Sequence, residues 1–247
     1  MKNNKKLVYV GLSADILHEG HINILKKASK LGNVVVGLLT DKAISSYKKF
    51  PLLNYKQRES VLRNIKYVSK LISQKTLDYR PNLIKLKPDF VVHGDDWRSG
   101  AQKETRSQVI KILKKWKGKL IEVKYTKNIS STSIKDKISE WGTSPQNRVS
   151  LLKRLLLSKK IVRILESHNS LTGLIIENLK VPKKNFHIEF DGMWSSSLTD
   201  SATKGKPDNS SVDFSSRITS LNEMMDVTSK PLVFDADNGG QLEHLPY

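Results

Sequence analysis

The chain contains no cysteine. Disulfide frameworks, cysteine-based zinc sites, iron–sulfur clusters and thiol catalysis are therefore excluded. Aromatic residues make up only 7%. They are not interleaved with basic residues in the way of nucleic-acid readers, and no RNP-type, zinc-finger or heptad pattern is present. Long apolar runs are missing too. Val34–Leu39 is among the longest and is far too short to span a bilayer. The basic Met1–Lys6 is followed only by Leu7–Leu12 before polar Ser13, a strand rather than the apolar region of a signal peptide. A Walker-type P-loop, an activated-serine motif, an internal repeat and a low-complexity tract are likewise not found. The expectation is a soluble, cytoplasmic protein with neither membrane nor nucleic acid as its partner; a homo-oligomer is left open.

What is present is a chain of 247 residues, 38% hydrophobic, with a net charge of +19. The apolar fraction suffices for a core and argues against disorder. The charge is uneven. Residues 1–140 hold 30 of the 43 basic and 12 of the 24 acidic residues, a net of +18, leaving +1 for residues 141–247. The first segment should attract polyanions, small phosphate compounds included; the plainer reading is a lysine-rich solvated surface.

Periodicity predicts strands at Leu7–Val10, Asn33–Leu39, Tyr67–Ile72, Phe90–His93 and Lys119–Val123. Helices are expected at His18–Leu31, Tyr55–Ile65, Pro81–Leu86, Lys103–Lys117 and Ser130–Trp141. This alternation predicts a doubly wound α/β domain with a parallel sheet over residues 1–140. Gly142-Thr143-Ser144-Pro145 marks a linker, taken as 141–147. Residues 148–247 continue with helix Val149–Leu157, strand Ile161–Leu165, helix Ser170–Leu179, strand Phe186–Trp194, helix Asp213–Val227 and strand Leu232–Phe234. This is too little for an eight-unit barrel, so an incomplete (β/α) barrel segment is expected.

Two constellations carry chemistry. In His18-Glu19-Gly20-His21 the i, i+3 spacing places both imidazoles on one face of the first helix turn. That helix start suits an anion, and Gly20 would let a ligand approach closely. Two imidazoles there could stabilise charge on a reacting phosphate. Unrelated surface histidines or a metal pair are the alternatives. In Asp235-Ala236-Asp237 two carboxylates at the end of a strand point the same way and could share a divalent cation; an ordinary turn is the alternative.

Ser13–His21 resembles the signature of the HxGH nucleotidyltransferases, the cytidylyltransferases for glycerol phosphate, phosphocholine and phosphoethanolamine in particular. Four further stretches agree: Ile129-Ser130-Ser131-Thr132-Ser133-Ile134-Lys135; Arg58 with Ile65-Lys66-Tyr67-Val68 after it; His93-Gly94-Asp95-Asp96-Trp97; and Lys48 following Thr40-Asp41. Leu12 and Ala14 depart from it, standing where the family usually has Gly and Phe. The resemblance implies that CTP binds with Mg²⁺ and that a phosphate or phosphonate oxygen attacks the α-phosphorus as pyrophosphate leaves. It assigns His18, His21 and Lys48 to catalysis. Nucleotide or phosphate binding falls to Ser13, Asp15, Arg58, His93, Asp95, Ser130, Ser131 and Thr132. Taken alone, Ser130-Ser131-Thr132 is an ordinary helix cap.

His168-Asn169, Phe190–Leu198, Lys204-Gly205-Lys206-Pro207-Asp208 and Asp235–Gly240 resemble phosphoenolpyruvate mutase of the isocitrate-lyase superfamily. That resemblance implies a catalytic Asp208 on a gating loop, Mg²⁺ held by Asp235 and Asp237, and a pocket of Trp194, Ser196 and Leu198. The family's later site residues have no positions here, so this segment is expected to be inactive as it stands. Together the resemblances imply a phosphonate-biosynthesis enzyme acting on a small phosphonate. Glycerol 3-phosphate or phosphocholine remains open as the acceptor. The rival class is a non-catalytic nucleotide- or polyanion-binding module.

Overall fold

A computed structural model describes residues 6–47, 50–98, 102–124, 126, 134, 145–183 and 186–237. They form two compact units that meet in sequence near residue 135.

The first unit is built on β1 (Leu7–Leu12), β2 (Asn33–Leu39), β3 (Lys70–Gln74), β4 (Phe90–Gly94) and β5 (Lys119–Val123). These make one parallel sheet in the order β3-β2-β1-β4-β5. The helices α1 (Glu19–Ser29), α2 (Asp41–Ser45), α3 (Tyr55–Arg63), α4 (Arg80–Leu86) and α5 (Lys103–Leu113) lie between them in sequence.

Alternation along β1 produces the two-sided core. Val8, Val10 and Leu12 join Leu25, Ala28, Val34, Val36 and Leu62 on one face. Tyr9 points the other way into Tyr79, Leu83, Val91, Trp97, Val109 and Leu113. Burial on both faces explains why β2 reads as an uninterrupted apolar run. Each fully buried leucine or valine contributes roughly 1.5–3 kcal/mol. Gly11 and Gly37 face each other across the β1–β2 pair. A Cβ on either would collide with a tyrosine hydroxyl, that of Tyr79 or Tyr9 respectively.

The strand and helix order matches expectation, with shifts at the ends. The α5 pattern changes to a 3-10 turn at Lys114–Trp116, where Lys117 takes a left-handed φ of 61°. The third strand starts at Lys70, not Tyr67, because the Val68 N–H is held in a turn by the Ile65 carbonyl; the Ser69 N–H then makes the first bond across to the Val34 carbonyl of β2. The short α2 carries too few residues to show a period. The expected helix Ser130–Trp141 lies outside the described residues apart from Ile134.

The rest of the chain forms α6 (Pro145–Ser158), β6 (Ile164–Glu166), α7 (Ser170–Asn178), β7 (Val181–Lys183), β8 (Phe186–Ile188), β9 (Gly192–Ser195), α8 (Ser197–Thr203), α9 (Phe214–Asp226) and β10 (Leu232–Phe234), all in the second unit except Lys183–Phe186, which group with the first. A three-stranded parallel sheet runs β10-β9-β6. The expected strand Phe186–Trp194 is two strands, and its first half pairs with β7. Asp191 interrupts it: its carboxylate is buried, paired with Lys159 and accepting the Arg163 N–H at 3.0 Å. Among the described residues no helix is long and apolar enough to cross a membrane.

Candidate active site

In the first sheet, β2 and β3 extend to one side of β1 while β4 and β5 extend to the other. Ligands of such sheets bind beyond the carboxyl ends of the strands at this switch point. The chain leaving β1 carries Ser13, Asp15, His18 and His21. His93 lies near the carboxyl end of β4, and Asp95 follows it. Sequence-predicted residues therefore fall on both strands that flank the crevice.

His18 is the N-cap of α1, and the two histidines form a reciprocal capping box. His18 Nδ1 accepts the Gly20 N–H at 3.2 Å, and His21 Nδ1 accepts the His18 N–H at 3.4 Å. An Nδ1 that accepts cannot carry the proton, so each neutral imidazole holds its proton on Nε2. The rings pack at 4.0 Å between centroids. Two Nε2–H donors are thus set side by side at a helix N-terminus, where partial positive charge also gathers. Gly20 serves this geometry in a way spacing did not reveal: a Cβ there would lie 3.0 Å from His18 Cε1. The absent side chain makes room for the histidine ring itself. The preceding loop holds Ala14 at a left-handed φ of 46° while burying it.

Arg58 is fully buried on α3. Its Nε donates to the Leu53 carbonyl at 3.1 Å, and Nη1 donates to the Ser13 and Leu39 carbonyls at 2.6 and 2.8 Å. Nη2 pairs with Asp41 at 2.6 Å. Asp15, also buried, accepts the Leu53 N–H at 3.0 Å. Both residues point into protein and tie together the loops that follow β1 and β2.

His93 lies flat on Trp97, 3.8 Å apart and 4° from parallel, and its Nδ1 is 2.9 Å from the Gly94 carbonyl oxygen. Burial pushes its pKa below the usual histidine value of 6.5. The Trp97 indole donates to Glu122 at 2.9 Å. Arg98 and Arg106 grip the same carboxylate and hold it well below the usual carboxylate range. Glu122 escaped the sequence reading, because nothing in a strand register shows which distant turn a side chain will meet. Asn23 and Thr126 were missed for the same reason; the Asn23 amide donates to Thr126 Oγ1 at 3.3 Å. Lys48, Ser130, Ser131 and Thr132 lie outside the described residues.

In the second unit the predicted residues gather at the carboxyl ends of β9 and β10, which are neighbours. Trp194 is half exposed and Leu198 exposed, whereas Ser196 is buried as the N-cap of α8. Asp208 is exposed on the turn between α8 and α9. Asp235 Oδ2 accepts from Ser197 Oγ at 3.2 Å, and Asp237 Oδ2 accepts from Arg217 at 3.0 Å. Among the described residues no cluster of three histidines or carboxylates surrounds a point where a metal could sit. Asp200 and Arg217 were missed. A signal existed for Arg217, which occupies the buried stripe Arg217, Leu221, Met224 of α9, where an unpaired arginine would be very costly.

Comparison with known proteins agrees with both halves. The Cytidylyltransferase-like family matches residues 9–137, and the Phosphoenolpyruvate phosphomutase family matches residues 152–247. The chain is 33% identical over 141 residues to an ethanolamine-phosphate cytidylyltransferase of Dictyostelium discoideum, covering 53% of this chain and 36% of that one. It is 31% identical over 137 residues to the glycerol-3-phosphate cytidylyltransferase of Bacillus subtilis, covering 55% and 98%. An FAD synthase of Archaeoglobus fulgidus is 37% identical over 82 residues, covering 33% and 60%. The chain thus spans about a third of the first relative's length and nearly all of the second's. It belongs to the cytidylyltransferase-like family of nucleotidyltransferases and continues into a phosphoenolpyruvate phosphomutase-family segment.

Proposed function

We propose that residues 1–140 transfer CMP from CTP to a small phosphonate or phosphate, and that a linker at 141–147, whose last three residues already begin α6, joins them to a mutase-like domain at 148–247. The carrying observation is the pair of imidazoles fixed by their Nδ1 atoms at the start of α1. In the reaction an acceptor oxygen forms a bond to the α-phosphorus. The bond from that phosphorus to the bridging oxygen breaks, its electron pair stays on that oxygen, and pyrophosphate leaves. His18 and His21 donate Nε2–H to the reacting phosphates and stabilise the charge that gathers there. Lys48 adds a positive charge. Ser130, Ser131 and Thr132 bind the triphosphate. Mg²⁺ arrives as the MgCTP complex, held chiefly by the substrate's own phosphates. Ser13, His93 and Asp95 border the nucleotide, and Asp15 and Arg58 act on it by fixing the loops it touches.

Pairing with a phosphomutase-family segment supports a phosphonate as acceptor, because that family makes carbon–phosphorus bonds, and so a role in phosphonate biosynthesis. Near-complete coverage of the Bacillus subtilis relative supports a second reading, glycerol 3-phosphate.

The test is pyrophosphate release from CTP or ATP against 2-aminoethylphosphonate, 2-hydroxyethylphosphonate, glycerol 3-phosphate and phosphocholine. CTP-dependent turnover with a phosphonate is the expected result. Turnover with glycerol 3-phosphate alone would favour the second reading. Polyanion binding without turnover would favour a non-catalytic module.

A further inference from the structure

The second unit already holds a cation where the metal reading needs one. Arg217 is only 3% exposed. Its guanidinium lies over the Phe234 ring, 4.5 Å from the centroid. Nε donates to Asp200 Oδ2 at 2.9 Å, Nη1 to Asp237 Oδ2 at 3.0 Å and Nη2 to the Asp235 carbonyl at 2.6 Å. The Asp235–Asp237 turn closes around this group. Asp237 takes a left-handed φ of 52°, and its N–H donates to Asp235 Oδ1 at 3.1 Å. With Ser197 on Asp235 Oδ2, three of the pair's four carboxylate oxygens have partners within the protein. Asp200 is 1% exposed, and its Oδ1 has no hydrogen-bond partner among the described residues. Its buried charge therefore depends heavily on Arg217.

As arranged, the pair does not fit a divalent ion. Mg²⁺ requires several oxygens turned toward it in near-octahedral geometry, and three of the four here are already turned to Ser197, Arg217 and the Asp237 N–H. A fixed positive charge in contact with one of the two carboxylates opposes a second cation. We propose that Arg217 is the built-in cation of the Asp235–Asp237 turn, closing it in the metal-free chain and competing with any divalent ion for Asp237. A residue that merely oriented metal ligands would weaken metal binding when removed, whereas a competitor strengthens it.

The probe is Mn²⁺, titrated into the full chain and followed through the spin-resonance signal of the free ion. Arg217→Gln should bind Mn²⁺ at least about tenfold more tightly than the unaltered chain. Its unfolding midpoint should rise with millimolar Mn²⁺, while that of the unaltered chain should scarcely move. Asp200→Asn combined with Arg217→Gln neutralises the buried partner as well and should show the same gain if the single variant folds poorly. Adding Asp235→Asn and Asp237→Asn should abolish the gain. Equal or weaker binding in the arginine variants would overturn the proposal. So would tight Mn²⁺ binding by the unaltered chain that Asp235→Asn with Asp237→Asn removes. Cytidylyl transfer belongs to the first unit, so neither result bears on that reading.

Discussion

Arg58 in the first unit and Arg217 in the second are both buried against a parallel sheet, yet they bond to different kinds of atom. Arg58 meets three main-chain carbonyls and one carboxylate. Arg217 meets two carboxylates and one carbonyl. Carbonyls belong to the backbone, so the first arrangement welds three chain segments into one rigid rim beneath the crevice. Carboxylates belong to side chains that can turn and change partners. The second arrangement therefore holds a turn shut by a contact that another cation can contest. Burial alone does not tell a structural arginine from a competitive one; the identity of its acceptors does.

The largest effect should come from breaking the rigid case. Arg58→Ala leaves three carbonyls and Asp41 without this partner and should cost about 3–5 kcal/mol. Arg217→Gln retains a donor for Asp200 and should cost about 1–3 kcal/mol. Hydrogen exchange on the full chain reads each unit separately. If Arg217→Gln loosens its unit more than Arg58→Ala loosens the other, the contrast between the two is mistaken.

Next come the histidines above that rim. His18→Ala or His21→Ala should lower the rate of CTP-dependent pyrophosphate release by about 10²-fold or more. The stability loss should stay near the ~1 kcal/mol of a missing cap. Single-turnover kinetics beside thermal unfolding separates the two quantities; undiminished turnover would remove both residues from the chemistry.

Gly20→Ala should act more gently. The new Cβ presses on His18 Cε1 and Nδ1, so the ring must shift by a few tenths of an ångström. A rate loss of about tenfold is expected from such a displacement of a catalytic group, with unfolding almost unchanged. An unaltered rate would show that the ring position tolerates the shift.

The smallest effect concerns pH. Burial lowers the His93 pKa in the folded chain, so the unfolded chain binds the proton more readily. Stability should therefore fall as pH drops below the ordinary value of 6.5 toward the lower folded value, and this contribution should level off above 6.5. The slope cannot exceed about 1.4 kcal/mol per pH unit for one proton. His93→Asn should flatten it; urea midpoints between pH 5 and 7 are the measurement, and an unchanged slope would mean that other groups carry it.

Local pattern was enough to determine much of this protein. Apolar runs bounded by capping residues specify the five strands of the first sheet, and the His-x-x-His spacing puts two imidazoles on one helix turn wherever that helix goes. Those features depend on near neighbours in the chain, so they are legible without the fold. Weak periods were not: α2 and α8 are too short to show one, and Phe186–Trp194 reads as one strand because its alternation of apolar and polar residues does not reveal that Asp191 will be buried against Lys159. The partners of polar side chains were decided only by tertiary structure. Arg58 resembled a phosphate ligand by its place in a motif, and folding turned it inward onto Ser13, Leu39 and Leu53. Asp235 and Asp237 resembled a metal pair by their spacing, and folding brought Arg217, eighteen to twenty residues away, between them and Asp200. Strand pairing and helix docking set which charges face one another across the sheet ends, and a buried charge must find its partner there rather than in its own segment.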